Sequence, residues 1–330
     1  MRTSLALTAL LALAACNGRG EDTGPTLDTG WFADTGAFNP STCPHRVLDT
    51  WPVSGEAGWY YRDAPLLWTA TASTEFYRAT LLDAADREVP VHMEWDALRG
   101  AVRPDAPLNP SSDYLLLLDD CTGTTALPFR TSALGLPLEG GPSSLVGRSW
   151  LILLDEAEWV EPAGFGALMS LYFTVPVLLG ADWADASVVD LIGAQGYADD
   201  LGVIHQFPGK PTWDYPMASF TDAPWFFAEA EVATLSFDAV EVPVYAFSLE
   251  ATFSADGRTV GGAVLRGSAD TQDMGVLIGR GGQDDAICAM AASMGVSCVD
   301  CPDGSPYCLD LYVTGIEGVE LEGTTLVTVE

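Results

Sequence analysis

Apolar and polar residues alternate with a period of two along most of this chain, in short runs cut by Gly, Pro, Asn and Asp. That is the pattern of β-strands with one buried and one wet face. In the first half Leu66 to Ala72 alternates, Tyr77 to Leu82 follows, and Asp83 to Arg87 turns. Glu88 to Trp95 then sets Val89, Val91, Met93 and Trp95 on one face. Leu115 to Leu118 and Leu127 to Ser132 complete a unit whose turn spacing is that of a sandwich. Residues 133–144 carry Gly135, Pro137, Gly140, Gly141 and Pro142 and read as a domain linker.

From Leu145 onward the expected strands are longer and more apolar: Ser149 to Leu154, Leu171 to Leu179, Val188 to Gln195, Glu231 to Phe237 and Val242 to Phe253. The last pairs with Thr259 to Gly267 across Ala255-Asp256-Gly257. Phe247, Leu249, Ala251 and Phe253 share its core face, opposite Ser248, Glu250 and Thr252. Glu161 to Gly166 and Gln206 to Tyr215 are loops, and Leu309 to Val313 and Leu321 to Val329 close the chain as strands. One helix is signalled, capped by Asp284 or Asp285, built on the Ala-rich run after it and ended by Gly295. The fold class is therefore mainly β. A sandwich over 43–132 is followed, over 145–330, by a larger β-sandwich or barrel-like domain with one short helix. Beyond the N-terminus no apolar stretch reaches eighteen residues without a charge or breaker, so no spanning helix is expected.

The N-terminal residues change this picture from fold to address. Arg2, the apolar run Leu5 to Leu13 and the closing Leu13-Ala14-Ala15-Cys16 have the layout of a secretory signal too short to cross a bilayer. With cysteine at the cleavage position, the segment resembles the lipobox of bacterial lipoproteins. The resemblance implies that residues 1–15 are removed and that Cys16 is acylated, palmitate included. It also implies that Asn17, where Asp would favour retention at the inner membrane, sorts the protein to the outer one. Each buried CH₂ of the acyl chains adds about 0.8 kcal/mol, so several chains hold firmly. Residues 16–42 then repeat Asp-Thr-Gly at 22–24, 28–30 and 34–36 and read as a flexible acidic stalk. Asp-Thr-Gly is also the aspartic protease motif, and Leu277-Ile278-Gly279-Arg280 faintly resembles a later retropepsin segment. The long separation and the stalk setting argue against a rigid carboxylate pair. Nor does the repeat have the closely alternating ligands and terminal Glu of a calcium loop.

Residues 43–132 offer a second resemblance. Leu108-Asn109-Pro110, then Tyr114 opening an apolar strand, and the closing Phe129-Arg130-Thr131 resemble the bacterial immunoglobulin-like domains of S-layer and other surface proteins. That implies a spacer or adhesive module more than a chemistry. In the oxidising compartment that export implies, Cys43 and Cys121 are expected to bond, closing a loop of roughly eighty residues worth about 4 kcal/mol. Cys288, Cys298, Cys301 and Cys308 form a second group with only one C-x-x-C knuckle, which argues against zinc. Of their three possible pairings, Cys288 with Cys298 and Cys301 with Cys308 is favoured.

Composition agrees with an exported globular protein: 330 residues, 48% hydrophobic and 10% aromatic. A formal charge of -32 with Lys210 the sole lysine speaks against nucleic acid and anionic headgroups as partners. Catalytic groupings are scarce. His45, His92 and His205 are the three histidines, and no nucleophile elbow, phosphate loop, dinucleotide fingerprint or zincin motif occurs, so no cofactor is indicated. Carboxylate neighbours such as Asp155 and Glu158, or Asp199 and Asp200, can be nominated for a glycosidase, but sequence gives neither separation nor environment. Trp213 and Tyr215, in a Pro-rich loop, are the first candidates for ligand binding through an exposed ring, although large rings in β proteins are more often interior.

The expectation is a lipid-anchored outer-membrane protein with a structural or ligand-binding role and no catalysis, meeting envelope polysaccharide or another surface protein. Two alternatives stand beside it: an anchored hydrolase of envelope sugars, favoured by a cleft holding two carboxylates, and a lipid carrier, favoured by an apolar cavity in the second domain.

Overall fold

Nine short strands occupy the first part of the chain: β1 (Val47–Trp51), β2 (Glu56–Trp59), β3 (Leu66–Thr69), β4 (Arg78–Asp83), β5 (Glu88–Val89), β6 (Val91–Asp96), β7 (Arg99–Pro104), β8 (Asp113–Asp120) and β9 (Gly123–Thr131). The computed structural model describes residues 43–162, 175–237 and 240–329. The signal, Cys16, the Asp-Thr-Gly stalk and the 163–174 part of the expected loop and strand lie outside the described residues. Two sheets, ordered β1-β3-β7-β6 and β2-β9-β8-β4-β5, share one core. Strict alternation puts Tyr114, Leu116 and Leu118 of β8 into it, opposite Leu67 and Val102 from the other sheet. Val91, Met93 and Trp95 face the same core while His92, Glu94 and Asp96 stay exposed.

The second part is one larger sheet: β10 (Ser149–Leu153), β11 (Glu158–Glu161), β12 (Val177–Ala184), β13 (Val188–Ala198), β14 (Ile204–Gln206), β15 (Trp213–Asp214), β16 (Ala218–Ser219), β17 (Trp225–Phe237), β18 (Val240–Phe253), β19 (Thr259–Asp270) and β20 (Cys308–Glu320). The order β10-β12-β13-β16-β17-β18-β19-β20 closes on itself, because Trp150 to Leu153 of β10 pair with Glu317 to Glu320 of β20. The result is an eight-strand barrel, so of the two architectures expected for 145–330 the chain adopts the closed one. β11 continues the same edge of β20 beyond β10, and β14 and β15 pair with β13 outside the ring.

Three expectations need correction. β20 runs to Glu320 rather than stopping at Val313, because Gly315, at φ 64°, forms a bulge that carries the strand on. Leu321 to Val329 is not a strand. It is held by bracketing bonds instead: the Val327 N–H donates to Gln206 Oε1, Gln206 Nε2 donates to the Val327 carbonyl, and the Thr212 N–H donates to the Val329 carbonyl. The helix, α1 (Ala286–Ala292), begins after Asp285, which makes no side-chain cap bond.

The 133–144 segment and the sandwich pack directly on the barrel. Leu138 joins the barrel core, and Leu134 covers Gly261, where an added Cβ would lie 2.7 Å from it. The Tyr60 ring lies on Gly262, whose Cβ would lie 2.2 Å away, and the Tyr60 hydroxyl shares a 2.7 Å hydrogen bond with Thr252 Oγ1.

Candidate functional site

The two ends of the barrel are built differently, and the difference creates a cavity. At the end where Tyr60 docks, Trp150, Phe220, Phe226 and Phe253 are fully buried and meet ring to ring, with centroids 5.0 Å apart for Trp150 and Phe253 and 5.3 Å for Phe226 and Phe253. Trp150 Nε1 donates to the Gly257 carbonyl at 2.9 Å, which satisfies the only polar atom of that indole. Four rings, tilted or edge-on and meeting at Phe253, form a plug.

Toward the other end the inward residues thin out to Val, Leu and Ala. On β18, Val240, Val242 and Val244 point inward. Then Ala246, at φ 47°, inserts a bulge, and Phe247, Ala251 and Phe253 take over on the opposite parity. The barrel here holds a cavity of about 140 Å³. Leu235, Leu249, Leu265, Leu311, Ile152 and Tyr215 face it and belong to the barrel core, yet each keeps part of its surface accessible. Side chains that face the barrel interior and are still accessible border space that the core does not fill.

A cap covers this end. The chain between β19 and β20 makes a 3₁₀ turn (Gln272–Ile278) ended by the left-handed Gly279, then α1, and sends Met274, Leu277, Ile278, Ile287 and Met290 against the cavity. Disulfides Cys288–Cys298 and Cys301–Cys308, with Cα atoms 5.5 Å and 5.0 Å apart, tie the cap to itself and to the start of β20. The third disulfide, Cys43–Cys121, joins the start of the sandwich to the end of β8. All six of these sulfurs are bonded and offer no thiolate to a metal.

Trp213 and Tyr215 do not stand in an exposed loop. Trp213 is 5% exposed in β15, opposite Gly193 of β13, and an added Cβ at Gly193 would come within 2.1 Å of the indole. The residue is interior because a two-residue strand lays it on a bare backbone. Tyr215 packs on Phe247 with centroids 6.2 Å apart, and burial pushes its phenol above its usual value. Both line the cavity, so they remain candidates as wall rather than as surface platform.

The nominated carboxylates lie at surface turns. Asp155 and Glu158 are exposed where the chain turns from β10 to β11. Asp199 Oδ1 accepts the Leu201 and Val203 N–H groups and Oδ2 meets His205 Nε2 at 3.1 Å, contacts that hold its carboxyl below the usual range. That makes it the knot of a hairpin turn. His45 bonds Thr71 and stacks on Phe76, and His92 pairs with Asp105, which raises its pKa.

Sequence reasoning passed over one polar cluster. Where the sandwich meets the barrel, the Arg62 guanidinium lies 3.8 Å over the Trp225 ring and 3.6 Å from Asp222, and Trp225 Nε1 donates to Glu250 Oε2 at 3.2 Å. Beside them burial, with Glu250 adding, raises the Asp63 carboxyl to about 6. The paired charge and aromatic surface suit a docking contact, and no local pattern links positions so far apart in the chain.

No protein-family model and no curated protein matches the chain. Among solved structures, L,D-transpeptidase 1 of Mycobacterium tuberculosis is similar over 62% of this chain and 76% of its own, at 9% identity and a TM-score of 0.22. A likeness that loose leaves the barrel to be read from its own chemistry.

Proposed function

We propose that the protein is a lipoprotein of the bacterial outer membrane, tethered through acylated Cys16, that holds a small apolar ligand in its C-terminal barrel. One observation carries the ligand: a barrel interior whose inward side chains, Leu235, Leu249, Leu265 and Leu311 among them, border a void of about 140 Å³ instead of filling it. An apolar cavity of about this size stays dry and accepts a benzene-sized molecule. A protein with only a structural role gains nothing by leaving that volume unpacked, since each lost methylene contact costs stability. The tether rests on the lipobox-like Leu13-Ala14-Ala15-Cys16 and on the disulfide-rich chemistry of an exported chain.

Residues 43–132 are read as an immunoglobulin-like spacer that lifts the barrel from the membrane. Two sheets on one core, a parallel β2–β9 pairing and the Asn109 N–H donating to the Tyr114 hydroxyl at 2.7 Å support that reading, the last being the corner bond such sandwiches use. The ligand is tested by titrating toluene while following tryptophan emission, since Trp159 and Trp213 line the cavity. Ala263, on β19, also faces the void. Wild type is expected to respond saturably, and Ala263→Leu is expected to abolish the response while melting no lower. A wild-type protein that ignores toluene overturns the reading.

A further inference from the structure

On the β12–β13 side of its capped end, the barrel wall continues past the cavity. Val177 of β12 lines the cavity and pairs with Gln195 of β13. Cross-strand partners share a face, and so do residues two apart on a strand, about 7 Å along, so Gln195 and then Tyr197 extend the cavity-facing wall. Tyr197 pairs with His205 of β14, and the Phe207 N–H donates to the Gln195 carbonyl at 2.8 Å. The His205 and Phe207 rings each lie 5.5 Å from the Tyr197 ring between centroids. Here the wall borders a second hollow of about 380 Å³, lined by Val175, Gln195, Tyr197, Phe207 and Lys210, with the Phe207 ring 38% exposed.

The chemistry of this hollow differs from that of the barrel. Its rings stand among an amide, a phenol and an ammonium, and Lys210 Nζ lies 5.7 Å from the centre of the Phe207 ring. The Asp199 carboxylate is close by, 3.1 Å from His205 Nε2. A net cation brought here meets Lys210, while a net anion meets Asp199 and the field of a chain with net charge -32. A neutral group rich in hydroxyls meets neither, because each hydroxyl both donates and accepts and so suits a mixed set of partners. A sugar ring adds apolar C–H faces that rest on an exposed aromatic ring. We infer that the hollow holds the sugar of a neutral glycoside whose apolar ring occupies the barrel. This rests on the ligand-carrying reading above and names the polar end of its ligand. The step of about 7 Å along the wall suits a sugar bonded directly to a single ring.

Four probes with one aromatic ring test it on the full chain at neutral pH by calorimetric titration: phenyl glucoside, toluene, benzoate as an anion and benzylamine as a cation. Phenyl glucoside is expected to bind about three- to tenfold more tightly than toluene, with both ions weaker than the glucoside. Phe207→Ala, at an exposed position, is expected to melt as wild type does, to remove the advantage of the glucoside and to leave toluene binding unchanged. A glucoside no tighter than toluene, an advantage that survives Phe207→Ala, or either ion binding as tightly as the glucoside overturns the inference while the ligand-carrying reading stands. Toluene failing where the glucoside binds overturns the barrel as the seat of the apolar ring, and failure of all four probes overturns both.

Discussion

Asp63 keeps its proton at a pH where carboxyl groups have normally lost theirs. Burial beside Glu250 raises it from 3.8 to about 6. Between those values the unfolded chain has released the proton and the native chain holds it, so stability falls as pH rises through this window and levels off above it. Asp63→Asn cannot ionise and removes that loss. Its stability relative to wild type is expected to improve by roughly 1–3 kcal/mol between pH 4 and pH 7, read from urea unfolding at each pH, and a pH-independent difference contradicts the assignment. Gly193 makes the complementary point about packing. Its backbone carries the Trp213 indole, so Gly193→Ala is expected to cost about 1–3 kcal/mol as an overpacked contact; an unchanged urea midpoint would show that the ring is not seated there. That a ring such as Trp213 is more often interior was legible in the sequence, but its seat on Gly193 was not, because it comes from a two-residue pairing with another strand.

At the scale of elements, alternation located most strands and misjudged those that bend. The face shared by Phe247, Leu249, Ala251 and Phe253 was readable, whereas Val240, Val242 and Val244 join the same interior on the other parity only because Ala246 flips the strand. The strand expected over Leu309 to Val313 likewise runs on, through a bulge at Gly315. Leu321 to Val329 has the composition of a strand but bonds through Gln206 and Thr212, a partnership that side-chain periodicity does not encode. The cysteine spacing, by contrast, was informative, since short separations leave few pairings that geometry allows. Cys288–Cys298 closes a small loop within the cap, which the chain-entropy estimate values at about 2–3 kcal/mol. Replacing both by Ser is expected to speed hydrogen exchange over residues 272–298 and to leave β17–β19 protected. Uniform acceleration across the barrel would mean that the cap and the barrel are one cooperative unit.

The whole molecule adds what no segment contains. Barrel closure depends on β10 meeting β20 across most of the second domain, with Trp150 opposite Glu320, and sequence patterns do not report pairings of that range. Closure then leaves one end filled by rings and abutting the sandwich, and the other hollow beneath a stapled cap. The address of the molecule is a separate claim and has its own test. In a bacterial host given labelled fatty acid, wild type is expected to incorporate label and Cys16→Ser to lose it, and equal incorporation would defeat the tether without touching the barrel.

The hollow barrel is the centre of the account, and xenon addresses it without presuming a ligand, since the atom enters apolar voids of about this size. Crystals of the protein held under xenon pressure are expected to show an ordered atom inside the barrel, bounded by Phe226, Val244, Leu265 and Val313 and roofed by Met274. Xenon found only on the outer surface, or a barrel interior filled by its own side chains, would contradict it.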